Sequence, residues 1–333
     1  MRAVRAGLLL ALAFAFSAPA ARAEPAFAVA VDSRPIANFM LGSSQTRFGA
    51  LDFVGGFEMR SEAPAFGQLS ALRFLAPGGA FAGVADHGDW FFGRIVRDDS
   101  GVPLGLADFR MQPMVDRAGG IVDDKQLADA EGLEVGDDGV ATVSFEREAR
   151  LSEYRLGPDG AGRPLRDLDF VIPRRELRFN RGMETVVRAP ADGPLRGARI
   201  VVAERSIDGD GNLFAAIVEG PGKGVFKVRR TDGFDVTDGA FLPDGDLVLL
   251  ERRLSLASGI GMRLRRISGA AIAPGALVDG EVLMQADLAH RIDNMEGLDA
   301  WRREDGATVL SLISDDNQSF MQRTVYLEFL VSE

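Results

Sequence analysis

The 333-residue chain contains no cysteine and only two histidines, His87 and His290. Without a thiol there can be no disulfide, no thiolate nucleophile and no thiolate metal ligand, so stability has to come from packing. Two separate histidines cannot supply a three-histidine zinc site. The Gly-x-Ser-x-Gly elbow and the Walker and Rossmann glycine patterns are missing too. No long stretch carries an apolar stripe at helical spacing. Positive charge is also scarce: 38 basic residues face 49 acidic ones, a net charge of −11. Such a chain has no long-range attraction for nucleic acid or anionic lipid.

The apolar run Leu8 to Phe16 is too short to span a bilayer. It follows Arg2 and Arg5 and precedes Ala21-Arg22-Ala23, the order of an export signal. This predicts cleavage after Ala23 and a periplasmic or secreted protein of a Gram-negative bacterium. No cysteine follows for a lipid anchor. Loss of Arg2, Arg5 and Arg22 would leave 35 basic against 49 acidic residues, a net charge of −14. The organisation expected is a signal at 1–23, an extended segment at 24–49 and one domain at 50–333.

What the chain does have is a repeat. Ile292-Asp293-Asn294-Met295-Glu296-Gly297-Leu298 leads through Asp305-Gly306 to the apolar run Val309 to Ile313, which ends in Ser314-Asp315-Asp316-Asn317. Degenerate copies begin near Ser70, Glu131, Glu184 and Asp238, so the five anchors lie 61, 53, 54 and 58 residues apart. Each repeat holds four strand-like runs divided by Gly, Pro and Asp turns. That period and content predict an all-β propeller with five recognisable four-stranded blades. A sixth blade built partly from residues 27–60 stays open as an alternative. The last repeat is short of a strand, and the run Leu51 to Phe57 can complete it. The ring would then close through its N- and C-terminal strands, leaving no free edge.

In a cyclic array, residues at equivalent strand ends converge on one rim of the channel. Asp86, Glu146, Glu204, Glu251, Asp315 and Asp316 are expected to meet there. Glu131, Glu184 and Glu296 form a second acidic set one strand-length away, and Arg147, Arg205, Arg252 and Arg323 are the expected counter-charges. Converging carboxylates do not stay ionised without cations or arginines. Asp315-Asp316-Asn317 places three oxygen-bearing side chains after a buried strand, a composition suited to a hard cation and equally to a turn. His87, after Asp86 at a strand end, is either a general base or a hydrogen-bonded turn residue. His290 reads as structural, and Trp90 and Trp301 as blade packing.

The same residues resemble the phytase-like family of exported bacterial proteins, described as having esterase-like activity of phytase. The resemblance rests on Glu131-Gly132-Leu133, Asn180-Arg181-Gly182-Met183-Glu184, Leu249-Leu250-Glu251-Arg252, Asp293 to Leu298, and Ile313 to Asn317 with Gln322-Arg323. It covers about residues 50 to 330 and implies hydrolysis of a phosphate or carboxylic ester. The Arg-His-Gly motif of the histidine acid phosphatases is absent. With the acidic rim, the resemblance therefore implies a calcium-dependent route. Glu131, Glu184, Glu296, Asp315, Asp316 and Asn317 are the candidate ligands for Ca²⁺. His87, Glu146, Glu204 and Glu251 are the candidate acid–base groups, and Arg147, Arg205, Arg252 and Arg323 would stabilise developing charge. A monomer acting on a small-molecule ester is expected, with no nucleic acid and no membrane-spanning segment. The other reading is a non-catalytic propeller that binds a ligand or protein, because this fold serves both.

Overall fold

A computed structural model of the chain describes residues 25–255 and 259–332; the expected export signal lies outside them. The second strand of each repeat is the most apolar because a neighbouring blade covers each of its faces. Five sheets stand around a ring. The first blade runs Leu69–Phe74, Ala80–Ala85, Asp89–Arg97 and Pro103–Pro113 from axis to rim, and the second Ala130–Val135, Val140–Phe145, Arg150–Gly157 and Gly160–Leu168. The third follows with Met183–Arg188, Arg199–Ile207, Leu213–Glu219 and Gly224–Val228, and the fourth with Asp235–Phe241, Leu247–Ser255, Gly259–Ile267 and Glu281–Ala286. The fifth is composite. Asn294–Arg302, Thr308–Asp315 and Thr324–Val331 come from the end of the chain, and Leu51–Arg60 comes from near its start.

The closing pair is antiparallel, from Val331 opposite Leu51 to Thr324 opposite Met59. No sixth blade forms among the described residues. Asp32–Ile36 extends the fifth blade and Phe27–Ala28 the first, as added outer strands. Five apolar clusters fill the five gaps between blades. The innermost strands pack side by side around the axis.

The axis is plugged by charge. The Arg73 guanidinium, from the first blade, makes a two-pronged pair with Asp238 of the fourth at 2.7 and 2.8 Å. It also donates to the Leu298 carbonyl of the fifth at 2.7 Å. The other Asp238 oxygen contact, from the Leu298 amide at 2.8 Å, completes a buried knot joining three blades. Arg97 of the first blade holds Glu328 of the fifth through two bonds of 2.7 Å, a second clasp on the closing sheet.

One irregularity recurs in every blade. The innermost strand carries an extra residue against its neighbour, at Ser70, at Glu131-Gly132, at Glu184, at Thr237 and at Glu296. A bulge re-aims its side chain and bends the strand. The repeat anchor in the fourth blade is therefore Thr237, one residue before the Asp238 read from the sequence. The glycines after Glu131 and Glu296 have a packing cause. A Cβ at Gly132 would overlap the Glu184 carbonyl of the next inner strand, and one at Gly297 would overlap the Ile313 side chain.

Candidate metal centre

The bulges, the ends of the second strands and the connections that follow the outer strands all lie at one end of the channel. Each blade contributes a bulge residue and a strand-end residue there. The pairs are Ser70 with Asp86, Glu131 with Glu146, Glu184 with Glu204, Thr237 with Arg252, and Glu296 with Asp315. All of these except Thr237, together with loop residues, line a cleft of ≈ 250 Å³ whose walls are polar or charged throughout. Eight carboxylates reach it: Asp86, Asp129, Glu131, Glu146, Glu184, Glu204, Glu296 and Asp315. Only Lys125, Arg147 and Arg252 bring positive charge, and Ser70, Asn180 and Asn317 complete the lining.

The cations are not spread evenly. Lys125, on the one-turn helix Lys125–Ala128, pairs with Asp86 at 3.0 Å and with Asp129. Arg147 reaches the other Asp129 oxygen at 3.0 Å. Arg252 joins Glu204 at 3.2 Å to Glu296 at 2.9 Å and also donates to the Asn294 side chain. Glu146 accepts from the Gly182 backbone of the next blade at 2.8 Å. Asp315 accepts from the Asn317 amide at 2.6 Å.

Glu131 and Glu184 stand between these anchored groups. Burial, then Glu146, Asp129 and further carboxylates, push Glu131 well above the usual carboxylate range. Burial, then Glu131, Glu146 and Glu204, do the same to Glu184. No cation ranks among the leading influences on either. Burial also raises Glu296 to about 8, against the pull of Arg252. Burial raises Glu146 to about 7 despite the Gly182 amide, and Asp315 to about 7 despite the Asn317 amide. Glu204 moves up through burial with Arg252 opposing.

Oxygens from Asp129, Glu131 and Glu146 lie within 4.8 Å of one another, as do oxygens from Glu146, Glu184 and Glu204. These two groups share Glu146 and can coordinate a metal ion. The donor set is oxygen only, which suits a hard divalent cation. The Asp86 Oδ1 is buried and has no hydrogen-bond partner among the described residues, the His87 Nδ1 lying 3.9 Å from it.

The two acidic sets expected from the sequence thus become one, because the bulge brings the inner-strand residue beside the neighbouring strand's end. Five other candidate residues are placed elsewhere. Glu251 is one step before Arg252 on its strand and so faces the opposite side. There it is buried between Arg263 and Arg265. Asp316 turns back to accept from the Gln68 amide at 3.2 Å and the Thr324 hydroxyl at 3.0 Å. Arg205 pairs loosely with Asp235 at 3.7 Å, and Arg323 holds Asp293 at 3.3 Å. His87 lies 3.1 Å from Asp89 and does not line the cleft. His290 packs against the rings of Phe39 and Phe48.

Sequence reasoning missed Ser70, Lys125, Asp129 and Asn180 as members of the cleft. Ser70 occupies the anchor position of its repeat, a signal that was available. Asp129 and Asn180 stand just ahead of Glu131 and Glu184 in their copies of the repeat, and Lys125 comes from a connection that does not repeat.

A family model described as phytase-like, esterase-like activity of phytase, matches residues 64–318. The chain belongs to this family. No curated protein matches it. Among solved structures, a pyrroloquinoline-quinone-bound aldose sugar dehydrogenase from Streptomyces coelicolor aligns at 12 % identity and a TM-score of 0.44, over 86 % of this chain and 99 % of that one. An endo-arabinase from Bacteroides thetaiotaomicron aligns at 11 % identity and a TM-score of 0.46, over 79 % and 93 %. At these identities neither protein's chemistry transfers to the phytase-like chain. No helix of the described residues is long and apolar enough to cross a membrane.

Proposed function

We propose that this phytase-like propeller is a calcium-dependent ester hydrolase whose centre is the acidic cleft, acting on a phosphate or carboxylic ester. The observation that carries the reading is the convergence of Glu131, Glu146 and Glu184, with no ion pair to Glu131 or Glu184 among the described residues. Burying like charges this way is costly unless a counter-ion enters. Asp129, Glu131, Glu146, Glu184 and Glu204 would hold the ion. Bound Ca²⁺ supplies a fixed positive charge that polarises an ester or phosphoryl oxygen and acidifies water.

The remaining residues divide the other tasks. Glu296 is outside both ligand groups, and burial raises it to about 8 against the pull of Arg252, which suits it to give a proton to a leaving oxygen. Arg252 fixes that carboxyl at 2.9 Å and offers charge to a developing oxyanion. Asp315, raised to about 7, is poised to take a proton from water. His87, turned towards Asp89, has no part in this scheme. The test is turnover of p-nitrophenyl phosphate and p-nitrophenyl acetate with calcium and with chelator. Hydrolysis of either that chelator abolishes and Glu184→Gln eliminates supports the reading. Absence of calcium-dependent turnover of both refutes it and leaves a binding propeller.

A further inference from the structure

The opposite end of the channel carries a second cavity, of ≈ 450 Å³, within the size range of small-molecule sites. Its lining recurs around the ring as that of the acidic cleft does. Three residues on from the successive bulges stand Arg73, Glu134, Val187, Ala240 and Asp299, one from every blade, and all five line this cavity. Three steps along a strand cover about 10 Å, so the second ring lies well beyond the first. The Arg73–Asp238 pair stands between the two. The hairpins that follow form the mouth, at Asp137 and at Ala189-Pro190-Ala191.

Most of the charge here is already matched. Arg73 is held by Asp238, and Glu134 by Arg188 at 2.8 Å and Arg199 at 3.1 Å. Two carboxylates have no ion pair among the described residues, Asp299 of the fifth blade and the exposed Asp137 of the second. Asp299 is fixed by the Phe74 amide at 2.7 Å and the Ala300 amide at 2.9 Å, which leaves a lone pair free on each oxygen. Burial raises this carboxyl to about 6, although the Arg73 charge and both amides oppose the shift. Other parts of the wall are apolar: Val187, Ala189, Ala240 and the Phe241 ring. That ring has no aromatic or cationic partner among the described residues.

A fixed, unpaired carboxylate in one cavity with apolar and aromatic walls is complementary to an organic cation. A metal ion suits it poorly. Asp299 belongs to neither carboxylate group that can coordinate one, and the apolar walls offer no side-chain oxygen. An anion would face the two unpaired carboxylates. We propose that this cavity is a second ligand site, taking a small organic ammonium ion whose charge rests on Asp299 and whose apolar body lies against Val187, Ala189 and Phe241. Asp137 at the mouth attracts the same charge. The site is separate from the acidic cleft, so its test is independent of the enzymatic reading.

Calorimetric titration of phenethylammonium into the full chain provides the test, with phenethyl alcohol as the uncharged control. Wild type should bind the ammonium ion saturably and the alcohol about tenfold or more weakly. Asp299→Asn should weaken ammonium binding by about tenfold or more. Asp137→Asn, at an exposed turn, should keep the wild-type melting temperature and weaken binding by about two- to threefold. Glu184→Gln alters the cleft at the other end and should bind the ammonium ion as wild type does. If Asp299→Asn does not fold, the alcohol control and Asp137→Asn decide. Wild type that does not bind, equal binding of the alcohol, or unchanged affinity in folded Asp299→Asn overturns the proposal. So does binding lost in Glu184→Gln, which would put the ammonium ion in the acidic cleft.

Discussion

The Arg252 guanidinium sits 2.9 Å from the Glu296 carboxylate, at the strand-end position where the other four blades carry Asp86, Glu146, Glu204 and Asp315. One blade in five therefore supplies a cation to the acid cluster in place of an acid. It pairs with two neighbours, Glu204 and Glu296, and reaches Glu184 only through the longer-range field, so Glu131 and Glu184 have no ion pair of their own among the described residues.

Removing that cation is expected to separate two effects. Arg252→Gln should lower the stability of the calcium-free protein by about 3–5 kcal/mol, since Glu204 and Glu296 lose their buried partner. The same variant should bind calcium more tightly than wild type, because the cluster has become more negative. Thermal melts with and without calcium check both signs.

The pH dependence of the calcium-free protein follows from the raised carboxyls. Glu146 and Glu296 rise from 4.5 to about 7 and about 8, and Asp315 rises from 3.8 to about 7. Between the unfolded and folded values the native state holds more protons, so stability falls as pH rises. The contribution should be complete below about pH 4 and lost progressively by about pH 8. Calcium should flatten the upper part of this curve and release protons on binding at pH 6. Melting temperature against pH, with chelator and with calcium, displays the slope.

Glu251 and Glu184 should behave as opposites although both are buried glutamates. Glu251→Gln breaks the pairs with Arg263 and Arg265 and should cost about 3–5 kcal/mol, with the calcium response retained. Glu184→Gln removes a repelled charge, so the calcium-free protein should gain stability while the calcium response disappears. Chemical denaturation of the two variants, with and without calcium, gives the comparison.

Ring closure is testable at one glycine. A Cβ at Gly56 would overlap the Tyr326 carbonyl across the Leu51–Arg60 and Thr324–Val331 pair. Gly56→Ala should destabilise the fold by about 1–3 kcal/mol. In wild type, hydrogen exchange should show the amides of Leu51–Arg60 protected like those of any central strand.

The blades were legible because four strands and a turn recur at a steady period, and closure was legible because the last repeat fell one strand short. Glu131, Glu184 and Glu296 could be located because each stands at the same place in its repeat. Glu251 could not be told from its neighbour in the same way. A strand reverses its side chains at every step, and the Glu-Arg pair in the fourth blade presents Arg252 where Glu146 and Glu204 are presented elsewhere. The bulges were invisible for a related reason, since an added residue on one strand shows only against its partner. Lys125 belongs to a connection with no counterpart in other repeats. Arg73 and Asp238 are 165 residues apart and meet only because the ring brings the first and fourth blades to one axis.

The most direct measurement of the central claim is a calorimetric titration of calcium into the chelator-treated protein and its Glu184→Gln variant. Wild type should show saturable heat of binding and a higher melting temperature in millimolar calcium, and the variant neither. Wild type with no heat and no thermal shift would mean that protons and Lys125, Arg147 and Arg252 alone settle the cluster, contradicting a metal centre.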